Sequence, residues 1–317
     1  MPPEQLTRRA LLRAGLLAGG GLLTAGCAQG LRDVRLTVAT GGAGGVYYAL
    51  GMALADAWQR DLGLRQRPTV LRSAGSVANL SLLAAGQADV IFSTADVAGG
   101  AAGLPDRAPR ALARVYDDAV QVVVPAESPI TTVAQLRGHR VSVGAADSGV
   151  LVVANRLLDA AGLASDRDLA AVRLGIDDSV AALRDSRIDA FFWSGGLPTD
   201  GVAELAAVRP IRLLDLGPVV AGLRQRFPVY DVGTVPTAMY GIPNPVTTIL
   251  VRNFLLVTAA MPDQLAAALV GALFKERELL VQANSAGRAI DQRSAIGTQP
   301  IALHPGAQRY YRDIKGG

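Results

Sequence analysis

A single cysteine, Cys27, occurs in 317 residues, so the chain can form no internal disulfide and no cysteine-built metal site. Histidine is almost as scarce. His139 and His304 are the only two, and neither an HxxH nor an HExxH pattern occurs, which argues against a metal centre. Both stand beside Arg or Pro and are expected in solvated, structural positions. No GxSxG signals a nucleophile elbow. The acid pairs Asp117-Asp118 and Asp177-Asp178 are adjacent, so their side chains point apart, and helix starts and turns are their expected homes. Aromatic residues make up only 5% of the chain and basic residues form no stripe, so nothing marks a nucleic-acid surface. After Cys27 no run is long and apolar enough to span a bilayer.

What the chain does have begins at its start. Arg8-Arg9 in a Thr7 to Arg13 segment resembles a twin-arginine export signal, and the apolar stretch Ala14 to Leu23 leads to Thr24-Ala25-Gly26-Cys27. A basic start, a short apolar core and small residues at a cleavage point make a secretory signal over residues 1–26. Ala-Gly-Cys resembles a lipobox, which makes Cys27 the expected lipid anchor, although Thr24 stands where Leu is usual. An ordinary cleaved signal is the alternative. Cleavage removes Arg8, Arg9 and Arg13 against Glu4, so the formal charge falls from +4 to +2 and carries no argument for nucleic acid.

Thr40 to Gly51 is the most informative stretch. A strand-like Val34 to Ala39 precedes the loop Gly41-Gly42-Ala43-Gly44-Gly45, and a helix-like segment follows from Val46. Free N–H groups and the positive end of a helix dipole meet there without side chains in the way, which suits a small anion. The loop matches neither GxGxxG nor GxxxxGK[ST], so nucleotide chemistry is not indicated.

Strand and helix signals alternate along the chain. Strands are expected at 34–39, 68–72 and 88–93, with helices near 46–60 and 76–86, then a linking strand at 119–125. A second series follows: strands 140–144, 171–175, 189–193 and 211–215, with helices 149–161, 178–186 and 200–207. A polar crossing (228–245), a strand near 246–252 and a helix over 262–282 complete the pattern. This predicts an α/β architecture with mainly parallel sheets. A weak repeat relates Ser76-Val-Ala-Asn-Leu80 and Asp89 to Ser179-Val-Ala-Ala-Leu183 and Asp189, and the glycine loop has a counterpart at Val143 to Val150. Two similar lobes that offer small residues at strand ends imply ligand capture in a cleft between them.

These residues carry a family resemblance. Gly41 to Tyr48, Arg72-Ser73-Ala74-Gly75-Ser76-Val77-Ala78-Asn79-Leu80, Gly86 to Asp89, Leu136 to Val141, Ser148-Gly149, Asp189 to Phe192 and Leu303 to Ala307 resemble, in order, the TAXI family. Its members are extracytoplasmic solute receptors of tripartite ATP-independent periplasmic (TRAP) transporters. The resemblance implies a two-lobed periplasmic-binding-protein fold (type II-like), with lobe I at 31–122 plus 231–317 and lobe II at 123–230. It implies no catalysis and no cofactor. The ligand would be an acidic amino acid such as glutamate or a related carboxylate. The partners would be TRAP permease membrane subunits, with the membrane itself reached through the lipid anchor, and the receptor would be a monomer. The chain departs from the family at Val150, where a hydroxyl residue is common, at Trp193, which is bulkier than usual, and in lacking an extra glycine before Ser76.

The expected site has two sides. Gly41, Gly42, Gly44, Gly45 and Val46 would hold a carboxylate through backbone N–H groups, covered by Tyr47. Ser73, Ser76 and Asn79 would offer side-chain donors, and Asp96 would accept from an ammonium group. Arg72 is either a carboxylate clamp or part of an ion pair. Across the cleft, Ser148, Gly149 and Val150 repeat the cradle, while Trp193, Ser194, Gly195 and Gly196 supply a wall and a flexible loop. A sensory lipoprotein that hands its ligand to a signalling protein, or a secreted enzyme on the same fold, remains open at this point. Replacing Cys27 by Ser should abolish incorporation of labelled fatty acid and release the protein from the membrane fraction.

Overall fold

The computed structural model describes residues 30–100 and 108–316, so the signal segment and Cys27 lie outside it. Ten strands form one mixed sheet: β1 (Thr37–Ala39), β2 (Thr69–Leu71), β3 (Val90–Thr94), β4 (Pro109–Pro125), β5 (Arg140–Ser142), β6 (Ala170–Val172), β7 (Ala190–Gly195), β8 (Ile211–Leu213), β9 (Asp231–Val235) and β10 (Val246–Thr258). The order is β2-β1-β3-β10-β4-β7-β5-β6, with β8 added to β4 and β9 to β10. Two parallel trios, β2-β1-β3 and β6-β5-β7, thus flank a central antiparallel pair. That pair, β4 with β10, runs from Ala119↔Leu250 to Pro109↔Thr258. The sheet is therefore not mainly parallel: its two longest strands run antiparallel to their neighbours.

Helices cover both faces: α1 (Val46–Asp61), α2 (Ser76–Ala84), α3 (Ala95–Gly100), α4 (Gly149–Ala160), α5 (Ser165–Asp168), α6 (Ile176–Arg184), α7 (Asp200–Val208), α8 (Gly217–Arg226), α9 (Asp263–Lys275), α10 (Arg277–Ala283), α11 (Gln292–Ala295) and α12 (Pro305–Gly316). The period-2 alternation of the long strands builds a core on each face. On β4, Val120, Val122 and Val124 enter one cluster and Val123 the opposite one. On β10, Leu255 and Val257 pack with α1 and α9, while Phe254 and Leu256 pack with residues of α2 and α3.

The internal repeat has a shared purpose. Asp89 Oδ2 accepts from the N–H of Thr37 at 2.8 Å, and Asp189 Oδ2 accepts from the N–H of Arg140 at 2.8 Å. Each Asp thereby ties the start of one parallel strand to its neighbour's first donor. Gly144 (φ +96°) turns the chain from β5 toward α4, and a Cβ there would meet Val150 Cβ at 2.7 Å and the Leu151 nitrogen at 2.8 Å. No L side chain fits that turn.

Several elements differ from expectation. The helix expected over 262–282 is broken at Glu276 into α9 and α10. The polar crossing contains β9, whose mostly exposed residues gave it no apolar alternation. His304 is fully buried rather than solvated, and its Nδ1 accepts from the N–H of Gly306 at 3.1 Å. Burial lowers its pKa.

Trp58 on α1 is fully buried, and its Nε1 donates to the carbonyl of Leu269 at 3.1 Å, which fastens α1 to α9. Trp58→Ala should cost about 3–5 kcal/mol of unfolding free energy, measured by denaturant titration, through the cavity left and the carbonyl unpaired.

Candidate functional site

A cavity of about 150 Å³ lies between the two halves of the sheet. The N-termini of α1, α2, α4 and α6 converge on it: Gly45 and Val46, Gly75 and Ser76, Ser148 and Gly149, and Gly175 and Ile176 all line it. The first N–H groups of a helix have no acceptor within the helix and carry its positive dipole end. Gly45, Gly75 and Gly175 cap their helices without a side-chain bond, and no acid sits in the first turns of α1, α2 or α4. Among the described residues, no Lys, Arg or His lines the cavity. The donors these four helix starts present to it are backbone N–H groups.

Thirteen of the seventeen residues expected at the site line this cavity: Gly41, Gly42, Gly45, Val46, Tyr47, Ser73 and Ser76 from one half, and Ser148, Gly149, Val150, Trp193, Ser194 and Gly195 from the other. Four do not. Gly44 faces α6 instead, where a Cβ would stand 2.4 Å from Asp177 Oδ1. Gly196 packs against Val46, Ala286 and Tyr116. Asn79 is fully buried, its Nδ2 donating to the carbonyls of Thr40 (2.7 Å) and Phe92 (2.9 Å) while its Oδ1 accepts from Ser73 Oγ (2.7 Å). With those partners it pins α2 to β1 and β3, and with both amide hydrogens committed and no place on the cavity wall it offers a ligand no donor. Asp96 is also spent: its Oδ2 accepts from Arg156 Nη1 at 3.1 Å and from the Tyr230 hydroxyl at 2.7 Å. This pair, with Asp96 buried and Arg156 half-buried, joins α3 in one half to α4 in the other, and Arg156 is stacked 4.4 Å over Phe227. Arg72, exposed, lies 5.9 Å over the Tyr48 ring and does not line the cavity.

Tyr47 is stacked on Phe92 with ring centroids 5.0 Å apart, and its hydroxyl donates to Asn253 Oδ1 and lies 3.4 Å from Ser76 Oγ. Ser76 Oγ also accepts from the N–H of Thr94 at 3.1 Å. Trp193 Nε1 donates to Thr199 Oγ1 at 3.0 Å, fixing the indole as a wall near Gly45. The two halves touch directly: the N–H of Ala78 donates to the carbonyl of Asp147 at 3.0 Å. A Cβ on Gly149 would meet Ser76 Oγ at 3.0 Å and Thr94 Oγ1 at 3.2 Å.

Sequence reasoning missed the floor. Thr94, Tyr116 and Asp118 line the cavity from β3 and β4, and Gly75, Gly175 and Ile176 from helix starts. Asp117 and Asp118 point apart as adjacent strand residues must, but neither is a cap: Asp117 accepts from Arg114 Nε at 2.9 Å, and Asp118 turns inward. By contrast, Asp177 and Asp178 do occupy the first turn of α6. Asp118 is 3% exposed, and Ser194 Oγ donates to its Oδ2 at 2.9 Å. Burial pushes its pKa from 3.8 up to about 7, against the smaller pull of Ser194, Tyr116 and Asn253. Burial, and then the Asp118 charge, raises the Tyr47 and Tyr116 phenols well above the usual value, so both stay neutral donors.

A family model described as the NMT1-like family matches residues 38–314. Among solved structures, the periplasmic aliphatic sulphonate binding protein SsuA from Escherichia coli is 18% identical, with 88% of this chain and 82% of that one covered and a TM-score of 0.50. A Bordetella bronchiseptica protein is 20% identical, with 89% of each chain covered and a TM-score of 0.50. A Xanthomonas citri protein solved with ATP is 18% identical, with 88% and 98% covered and a TM-score of 0.51. The likeness is one of fold: the chain has the α/β architecture of two-lobed periplasmic binding proteins.

Because the folded state holds the Asp118 proton more tightly than the unfolded chain, its stability falls as pH rises from about 4 to about 7. Asp118→Asn removes that fall. Its melting-temperature advantage over the wild type should therefore grow from pH 4 to pH 7 and stay level above, as read by thermal melts without added solute.

Proposed function

This chain belongs to the NMT1-like family, and on that premise we propose that it is an extracytoplasmic solute receptor that binds a small carboxylate, glutamate and related amino acids being the first candidates. The observation that carries this reading is the cavity lined by four helix N-termini and, among the described residues, by no basic side chain. Backbone N–H groups and the Ser76 hydroxyl suit a small oxyanion on a solute that must be released again. Gly41, Gly42 and Gly45 would approach the solute from one half, and Ser148, Gly149 and Val150 from the other, with Trp193 as the wall.

In this reading lobe I comprises 31–122 and 231–317 and lobe II 123–230, and the solute is handed to the membrane subunits of a TRAP transporter. The TAXI-like order of motifs supports that partner. The signal-like start supports a site in the periplasm or on the outer face of the cytoplasmic membrane, held by Cys27. The sulphonate receptor among its fold relatives gives a second ligand class worth testing, since a sulfonate presents the same kind of oxyanion. A sensory receptor stands as the alternative; a TRAP permease gene beside this one favours uptake, and a histidine kinase gene favours sensing. A secreted enzyme is disfavoured, because among the described residues Asp118 is the one acid or base that lines the cavity apart from two phenols that stay neutral.

Calorimetry of the mature protein against amino acids, dicarboxylates and alkanesulfonates should find saturable binding without turnover. Gly149→Ala, which wedges a methyl group between the halves, should weaken it roughly tenfold or more. Binding unaffected by Gly149→Ala would place the site elsewhere, and consumption of the solute would revive the enzyme reading.

A further inference from the structure

We infer that the solute carries a cationic nitrogen beside its carboxylate and that the buried carboxylate of Asp118 receives it. This rests on the carboxylate reading above and narrows it from acids in general to amino acids.

The first observation is an unpartnered oxygen. Ser194 serves Asp118 Oδ2, but Oδ1 is buried without a hydrogen bond of good geometry among the described residues; Tyr116 and Asn253, both neutral, lie close enough to favour the ionised form. Leaving a buried carboxylate oxygen unpaired is costly, and such an atom on a cavity wall marks a place where a donor belongs. No cation among the described residues faces it. The groups facing Asp118 are Tyr116 and Asp117 on its own strand, Tyr47 from α1, Ser194 from β7 and Asn253 from β10. None is basic. The nearby guanidinium groups are engaged elsewhere, Arg114 with Asp117 and Arg156 with Asp96.

The second observation is the contrast with the rest of the cavity. The helix N–H groups at the cavity are donors, the Tyr47 and Ser194 hydroxyls are already committed to Asn253 and Asp118, and among the lining side chains only an ionised Asp118 is restricted to accepting. A carboxylate at the helix N-termini and an ammonium group at Oδ1 would satisfy both ends. A plain carboxylic acid would leave Oδ1 unpaired and bring a second negative charge beside it. Burial alone keeps a proton on Asp118 up to about pH 7. An incoming ammonium group favours the ionised form, so that proton passes to the buffer as the ion pair forms.

Matched pairs of probes test this by calorimetry at pH 7: glutamate against glutarate, and leucine against 4-methylpentanoate. The better amino acid should bind at least about tenfold more tightly than its des-amino partner, a difference of about 1.4 kcal/mol. Asp118→Asn should reduce that ratio to near one. Titrations of the wild type in buffers of different ionisation enthalpy need no variant, and they should show proton release with the amino acid and proton uptake or no exchange with its partner. Des-amino acids that bind as well as amino acids, a ratio that survives Asp118→Asn, or the absence of proton release would overturn the inference while leaving the carboxylate reading intact. If neither member of any pair binds and only a sulfonate does, the carboxylate reading itself falls, and the inference with it.

Discussion

Two strands, β4 and β10, run side by side through the centre of the sheet, and their antiparallel register decides where every other part of the molecule lies. Each carries one parallel trio on its outer edge, so the trios face each other across the pair with their helices on both sides. The helices that follow β1, β2, β5 and β6 therefore start over the middle of the sheet. That is why N-termini from distant parts of the sequence meet at one cavity. The same two strands supply Tyr116, Asp118 and Asn253 beneath it.

The electrostatics of the cavity follow from what borders it. Charged side chains at the cleft are paired in ways that keep them out of it, Asp96 with Arg156 and Tyr230, and Asp117 with Arg114. What remains is a set of fixed dipoles and neutral hydroxyls around one buried acid. Fixed dipoles need little rearrangement when a solute arrives, and they are spread over two halves that must come together for all of them to act.

The glycine loop and Ser148-Gly149 were legible in the sequence because a strand, a turn and a helix start are contiguous there. The fold class followed from the same alternation, and the repeat around Asp89 and Asp189 was visible because its bonds are local to each half. Asp118 was not legible as a wall residue. It sits mid-strand with no motif, and its partners Ser194 and Asn253 are far along the chain. Asp96 was misassigned for the complementary reason: it stands at a strand end, as a ligand residue should, but Arg156 and Tyr230 reach it from 60 and 134 residues away. The sheet was taken as mainly parallel because β4 and β10 offer no crossover signal, and β9 was missed because a mostly exposed strand shows no apolar alternation.

The register of β10 against β4 slips twice, between Asn253 and Phe254 and again between Leu255 and Leu256. Irregularities of this kind raise the local twist of a strand and interrupt its ladder. They fall beside Asn253, the residue that accepts from Tyr47. Since the halves share one continuous sheet, any rotation of one against the other has to be absorbed as torsion in this pair of strands. In that sense the two strands work as a torsion bar rather than as a loose pin, and the cavity that β4 lines with Tyr116 and Asp118 sits on the bar itself.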